Sequence, residues 1–231
     1  MTSHNEFASE GPAKLFHYPM ACSTAVRIAA AEAGVELEIQ EVDVYSKDLS
    51  GGGGSLFEIN PLGQVPTLKL PSGEIISENV AIMYSIEAQC GAVVSPQIIR
   101  WLSFCATELH KGIIWPIARG EASPEVRVAA AARLSFLSRY LDAHLTGRNF
   151  VAAEGWSAAD AYLLWCLQLL DMLRLKTGSS STLSAYTARL IQREHVSMIF
   201  TADRQRLREL TADRRPLAIA SNPAFAGTSA R

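Results

Sequence analysis

Metal-ligand clusters, paired cysteines and membrane spans are all missing from this 231-residue sequence. Its four cysteines stand at 22, 90, 105 and 166, with no C-x-x-C pair and no histidine at ligand spacing. That pattern speaks against structural zinc and for a reducing compartment. No long uncharged apolar stretch suits a bilayer, and the opening residues Met1 to Glu6 lack the basic and apolar regions of a secretory signal, so the expected compartment is the cytoplasm. The formal net charge is only −2, and no basic run is interleaved with aromatics, so nucleic acid and membrane are not expected partners.

What is present reads as two architectures in succession. Strand patterns at 14–18, 36–43, 66–70 and 74–76 alternate with helical ones at 23–34 and 78–90, in the order βαβ then ββα. From there the pattern is helical throughout, near 96–119, 124–145, 158–175, 182–193 and 195–210. The expected class is α+β, a small thioredoxin-like domain over 13–90 joined by a linker at 91–96 to an all-helical domain over 97–210. Residues 1–12 read as a loose leader and 211–231 as a tail. The run Ser50-Gly51-Gly52-Gly53-Gly54-Ser55 cannot hold a helix and has no Lys-Ser or Lys-Thr after it, so it reads as a mobile lip of a cleft rather than a phosphate loop.

Three places carry chemistry. Cys22 follows the break at Pro19 and opens a helical run, where free backbone amides and the helix dipole favour thiolate; the plain alternative is a small buried hydrophobe. Pro66 stands at the mouth of a strand and restricts Val65 to an extended conformation. A cis bond there would leave the Val65 backbone to pair with a peptide-like ligand; a trans proline would merely end a loop. Ser77 reads as the N-cap of the next helix, with Glu78 and Asn79 beside an anion seat; Glu78 suits a ligand ammonium or simply the helix dipole.

Further on, Ser157 and Asp160 form a capping box before an almost wholly apolar helix, and both read as structural. His110 lies within a turn of Ser103, Ala106 and Thr107, a small and polar face on an otherwise apolar helix; spacing leaves open a packed histidine or a cleft residue. Trp115-Pro116 reads as an end or kink of that helix.

Taken together, Cys22, the run Asn60 to Pro66 and Ser77-Glu78-Asn79 resemble the thioredoxin-like half of a cytosolic glutathione transferase. Trp101 to Gly112 resembles the first helix of the helical half in the bacterial beta class, and Trp156 to Tyr162 resembles the capped start of its buried helix. The resemblance runs from about Ala13 to Leu210 and implies a homodimer that binds glutathione as co-substrate, without metal, and transfers it to small hydrophobic electrophiles. It implies Cys22 and His110 as catalytic residues. Ala21, Gln64, Val65, Pro66, Glu78, Asn79, Ser103 and Lys111 would join them in binding glutathione, and Arg27 and Lys47 are further candidates for meeting its negative charge. Ile113, Trp115, Pro116 and Trp165 would form the electrophile pocket.

The sequence departs from the beta-class pattern at Met20, His17 and Ser103, where Gly, Tyr and Asn are common. Two mechanisms are compatible with the resemblance: thiolate attack on carbon, with detoxification as its purpose, and thiol-transferase or peroxide chemistry through Cys22. A non-catalytic carrier of hydrophobic ligands, or a regulatory interaction protein, is the alternative on the same fold.

Overall fold

The computed structural model describes residues 11–90, 93–120, 122–175 and 181–212. The expected leader and tail therefore lie almost wholly outside the described residues, as do the first two positions of the expected linker. Strand β1 (Ala13–His17) runs into helix α1 (Ser23–Glu32) and returns as β2 (Leu37–Glu41); β3 (Thr67–Lys69), β4 (Ile75–Ser77) and α2 (Asn79–Gln89) follow. The sheet order is β2-β1-β3-β4, with β1 parallel to β2 and antiparallel to β3, and β4 antiparallel to β3. This is the mixed thioredoxin-like sheet that the βαβ then ββα pattern calls for.

Central strand β1 is buried on both faces from Leu15 to His17, which explains the adjacent apolar pair Leu15 and Phe16. Ala13 and Leu15 enter the main core with Leu68 and α1, while Phe16 joins Val42, Leu49 and Leu56 in a second, smaller cluster on the opposite face. Leu49 and Leu56 are supplied by the segment between β2 and β3, which the sequence left irregular. It contains a 3-10 turn at Leu56–Glu58 capped by the Ser55 hydroxyl. The glycine run is tied down by backbone bonds, Leu49 N–H to Gly54 C=O at 2.9 Å among them.

The helical half begins with α3 (Pro96–Phe104), capped by Ser95, and continues without a break through a π-helical segment, Cys105–Ile114, into α4 (Trp115–Ala118). Pro116 does not end this helix; it falls in the first turn of α4, where a missing N–H is tolerated. Then come α5 (Pro124–Leu145), α6 (Ala158–Met172), α7 (Ser181–Ile191) and α8 (Glu194–Ala212). Helix α6 is the buried hub expected from its apolar sequence. Its N-terminus is held by the capping box, in which the buried Asp160 carboxylate accepts from Ser157 N–H (3.1 Å) and Oγ (3.0 Å), and also from Val151 N–H (2.8 Å) and Tyr186 Oη (2.8 Å).

Small residues on α1, including Ala25, Ala29 and Ala30, let it pack closely against both α6 and α8. Glu87 of α2 caps α6 through the Ala158 N–H, and Arg206 of α8 grips Glu41 with two bonds of 2.8 Å. Deeper down, Asp203 of α8 reaches a buried cluster of His17, Thr24 and Arg27. The two halves thus share one core and a set of charged ties across it.

Candidate active site

Where β1 meets α1, the chain turns through Pro19 and Met20. Met20 adopts φ 62°, a left-handed conformation that favours glycine. That is the physical reason the resemblance leads one to expect Gly where Met20 stands. Two long-range bonds hold it there: its N–H donates to Asp203 Oδ2 at 3.3 Å, and its carbonyl accepts from Trp165 Nε1 at 3.1 Å. His17, the second departure, is buried; its Nδ1 pairs with Ser23 Oγ at 2.8 Å and its Nε2 lies 3.3 Å from Asp203. Burial pushes the His17 pKa down. It therefore helps fasten the turn as a neutral ring rather than adding charge beside the thiol.

Cys22 occupies the N-cap of α1, as its sequence context suggests, but it is not poised as a thiolate. Its Sγ–H donates to the Val65 carbonyl at 3.3 Å, and burial pushes the thiol up to about 12. Lys111 and the amides of the helix start pull the other way; Glu78 adds to the rise. Desolvation outweighs the dipole.

The loop before β3 is built to present Val65. Buried Asn60 donates to Thr67 Oγ1 (2.9 Å) and Gln64 C=O (3.2 Å), and its Oδ1 accepts from Leu62 N–H (3.0 Å). Gly63 has φ 57°, and a Cβ there would sit 2.6 Å from the Phe57 ring, so this position needs glycine for both conformation and space. The Val65–Pro66 bond is cis. The Val65 carbonyl is engaged by Cys22, while its N–H makes no hydrogen bond among the described residues.

At the third point the structure corrects the cap: Ser77 ends β4, and Glu78 takes the N-cap of α2 with φ 72° and ψ 129°. A non-glycine residue held there is strained, and such strain clusters at ligand sites. Next to it Asn79, only 5% exposed, donates to the Cys22 carbonyl at 3.4 Å, and its buried Oδ1 has no donor among the described residues.

Opposite these lies the π-helical segment. Gly112 makes room for it: a Cβ would stand 2.8 Å from the Thr107 carbonyl five residues earlier, the spacing of a π turn. The segment aims Ala106, Thr107, His110 and Lys111 at one cavity of about 220 Å³, whose other walls are Cys22, the Asn60 to Pro66 loop and Ser77 to Val80. Buried His110 is held by Tyr162 Oη, 2.8 Å from Nδ1, and lies edge-on to Trp165 with centroids 4.9 Å apart. Burial, reinforced by Lys111, lowers its pKa to about 4, so it is neutral at pH 7.

Of the expected site residues, Cys22, Gln64, Val65, Pro66, Glu78, Asn79, His110 and Lys111 line this cavity. Ala21 and Ser103 do not; Ser103 is exposed, and its carbonyl accepts from Thr107 Oγ1. Ile113 and Trp165 are core residues rather than pocket walls, and Trp115 and Pro116 lie outside the cavity, with Lys111 Nζ 4.4 Å from the Trp115 ring centroid. Arg27 is committed to Asp203 and His17, and Lys47 to the Val44 carbonyl at 2.6 Å, so neither joins the site. The Gly51–Gly54 stretch is also absent from the cavity wall. Sequence reasoning missed Tyr162 and Val80. A tyrosine inside an almost wholly apolar helix was the available signal, because its buried hydroxyl requires a partner.

Comparison with known proteins accounts for this assembly. Residues 19–89 match the family described as glutathione S-transferase, N-terminal domain. The chain is 31% identical to glutathione S-transferase GstA of Escherichia coli O157:H7, over 82% of this chain and 98% of that protein. It superposes on a sphingomonad glutathione S-transferase solved with glutathione (TM-score 0.73, 32% identity) and on the beta-class enzyme of Sphingomonas chungbukensis (TM-score 0.75, 31% identity), each match covering 82% of this chain and 98% of the other. A helical half packed on a thioredoxin-like half, with similarity over the full length of these relatives, establishes that the chain belongs to the glutathione S-transferase family, beside the bacterial beta class.

Proposed function

We propose that the cavity binds glutathione and that the protein transfers it to small hydrophobic electrophiles. The observation that carries this reading is the convergence, around Cys22 and His110, of a Val65 N–H and a buried Asn79 Oδ1 without partners among the described residues and of the carboxylate of Glu78, whose backbone is strained. A peptide amide satisfies the first, an ammonium suits the second and third, and Lys111 supplies positive charge for a carboxylate. On this reading residues 13–90 form the glutathione-binding half and 97–210 the helical half. The electrophile approaches over Thr107 and Lys111 toward Trp115, which is 38% exposed. The working form is a homodimer in the cytoplasm, and detoxification is the purpose.

The chemistry favours conjugation by the bound thiol over disulfide exchange by Cys22, because a thiol raised to about 12 holds almost no thiolate at pH 7. Calorimetric titration with glutathione and turnover of a chloronitrobenzene test the proposal together. Saturable heat with turnover supports it; dye binding with neither would leave a carrier. Cys22→Ala is expected to abolish any disulfide exchange and to retain most conjugation.

A further inference from the structure

His110 has two ring nitrogens in different situations. Nδ1 faces the Tyr162 hydroxyl at 2.8 Å, whereas Nε2 makes no hydrogen bond among the described residues and the ring borders the cavity. Tyr162 is buried, and desolvation drives its pKa upward, so its hydroxyl keeps its proton and needs an acceptor. Among the described residues, His110 Nδ1 is the acceptor at hydrogen-bond distance. A nitrogen that accepts from Tyr162 is unprotonated, and a neutral imidazole then carries its single proton on Nε2.

We infer that Tyr162 is a positioning residue that locks His110 as the Nε2–H tautomer, making His110 a neutral hydrogen-bond donor to the glutathione sulfur rather than the base that deprotonates it. This rests on the glutathione-binding reading above. The S–H bond breaks heterolytically, the electron pair stays on sulfur, and the proton leaves to a water or buffer base. The thiolate, bonded to Nε2–H and near the Lys111 ammonium, forms the new S–C bond as halide departs with its electron pair. His110 carries one proton throughout.

The lowered pKa of His110 fits a donor and not a base, since a ring that resists protonation down to about pH 4 is a poor acceptor for a thiol proton. The charged and titratable groups around it are Lys111 on its own segment, Cys22 at the start of α1, Glu78 at the start of α2, and Tyr162 with Cys166 behind it on α6. The Asn79 side chain also approaches the Tyr162 oxygen, and its effect of lowering the tyrosine pKa is that of an amide N–H donor, so it does not compete with His110 as an acceptor. The opposite direction of the His110–Tyr162 bond would put the proton on Nδ1 and present Nε2 as a base.

Long-range ¹H–¹⁵N correlation of the histidine rings separates the two. The full chain labelled with ¹⁵N-histidine, its His110 signal assigned by its loss in His110→Gln, is expected to show the Nε2–H tautomer from pH 5.5 to 8.5, with and without glutathione. Tyr162→Phe is expected to populate both tautomers. It should also lower the thiolate fraction of bound glutathione at pH 7, read by ultraviolet absorbance, by about tenfold, with little change in glutathione KM. An Nδ1–H ring in the parent protein overturns the inference even if the variant fails to fold, as does an unchanged thiol titration in a folded variant. Absence of calorimetric heat with glutathione would instead remove the glutathione-binding reading, and the tautomer would still be measurable.

Discussion

Cys22 shows how one residue obeys two opposing rules. Its place at a strand-to-helix turn was legible from Pro19 and the helical run, and so was the pull of the helix start toward thiolate. The depth of burial was not, because the groups around it come from the loop before β3, the start of α2 and the π segment, far away in sequence. Its thiol, raised to about 12, is expected to react with iodoacetamide at pH 7 about a thousandfold more slowly than a free cysteine, the rate rising with pH through the alkaline range. Alkylation kinetics measured on a protein with serine at Cys90, the exposed cysteine, check this; a rate near that of free cysteine contradicts it. Asn60, Gly63 and Asn79 make the complementary point. Their residue types were visible, but their partners follow from tertiary contacts that no local pattern encodes.

Among the elements, the segment Cys105–Ile114 diverges most from its sequence pattern. Its apolar spacing predicts an ordinary helix, and the π-helical backbone of Cys105–Ile114, with no room for a Cβ at Gly112 beside the Thr107 carbonyl, is the departure. Gly112→Ala is expected to cost about 1–3 kcal/mol and to raise glutathione KM by displacing His110 and Lys111. Denaturant midpoints and steady-state kinetics test both effects, and an unchanged variant would show that the π turn does not depend on this glycine. Helix α6 is the converse case, since Ser157, Asp160 and the apolar run announced its start and its burial. The sequence did not show that Asp160 also anchors Val151 and Tyr186. Asp160→Ala is therefore expected to cost at least about 3 kcal/mol, more than an ordinary cap, because several buried donors lose their shared acceptor. A loss below 1 kcal/mol would mean that these bonds contribute little.

Across the whole molecule, the two halves act as one unit because β1, α1 and α8 meet at Asp203. Removing that carboxylate as Asp203→Asn leaves Arg27 and the Met20 N–H without their anion, and is expected to cost about 3–5 kcal/mol and to lower turnover through the Cys22 turn. The order of elements and the change from mixed to helical architecture were legible from periodicity; these cross-ties were not, since 176 residues separate Arg27 from Asp203.

Acid stability reports on the same burial. His110 has its pKa lowered from 6.5 to about 4, so below pH 6.5 the unfolded chain takes up a proton that the folded chain refuses, and this contribution to stability is lost as pH falls toward 4. The parent should lose of the order of 2–3 kcal/mol more than His110→Gln over that range. Comparing the two proteins is essential, because Asp160 and Glu87, both raised by burial, act in the opposite direction. The most direct test of the site itself is backbone NMR during titration with glutathione. The account predicts saturable shifts centred on residues 20–24, 60–66, 77–80, 106–111 and 162; no saturation, or shifts centred elsewhere, would contradict it.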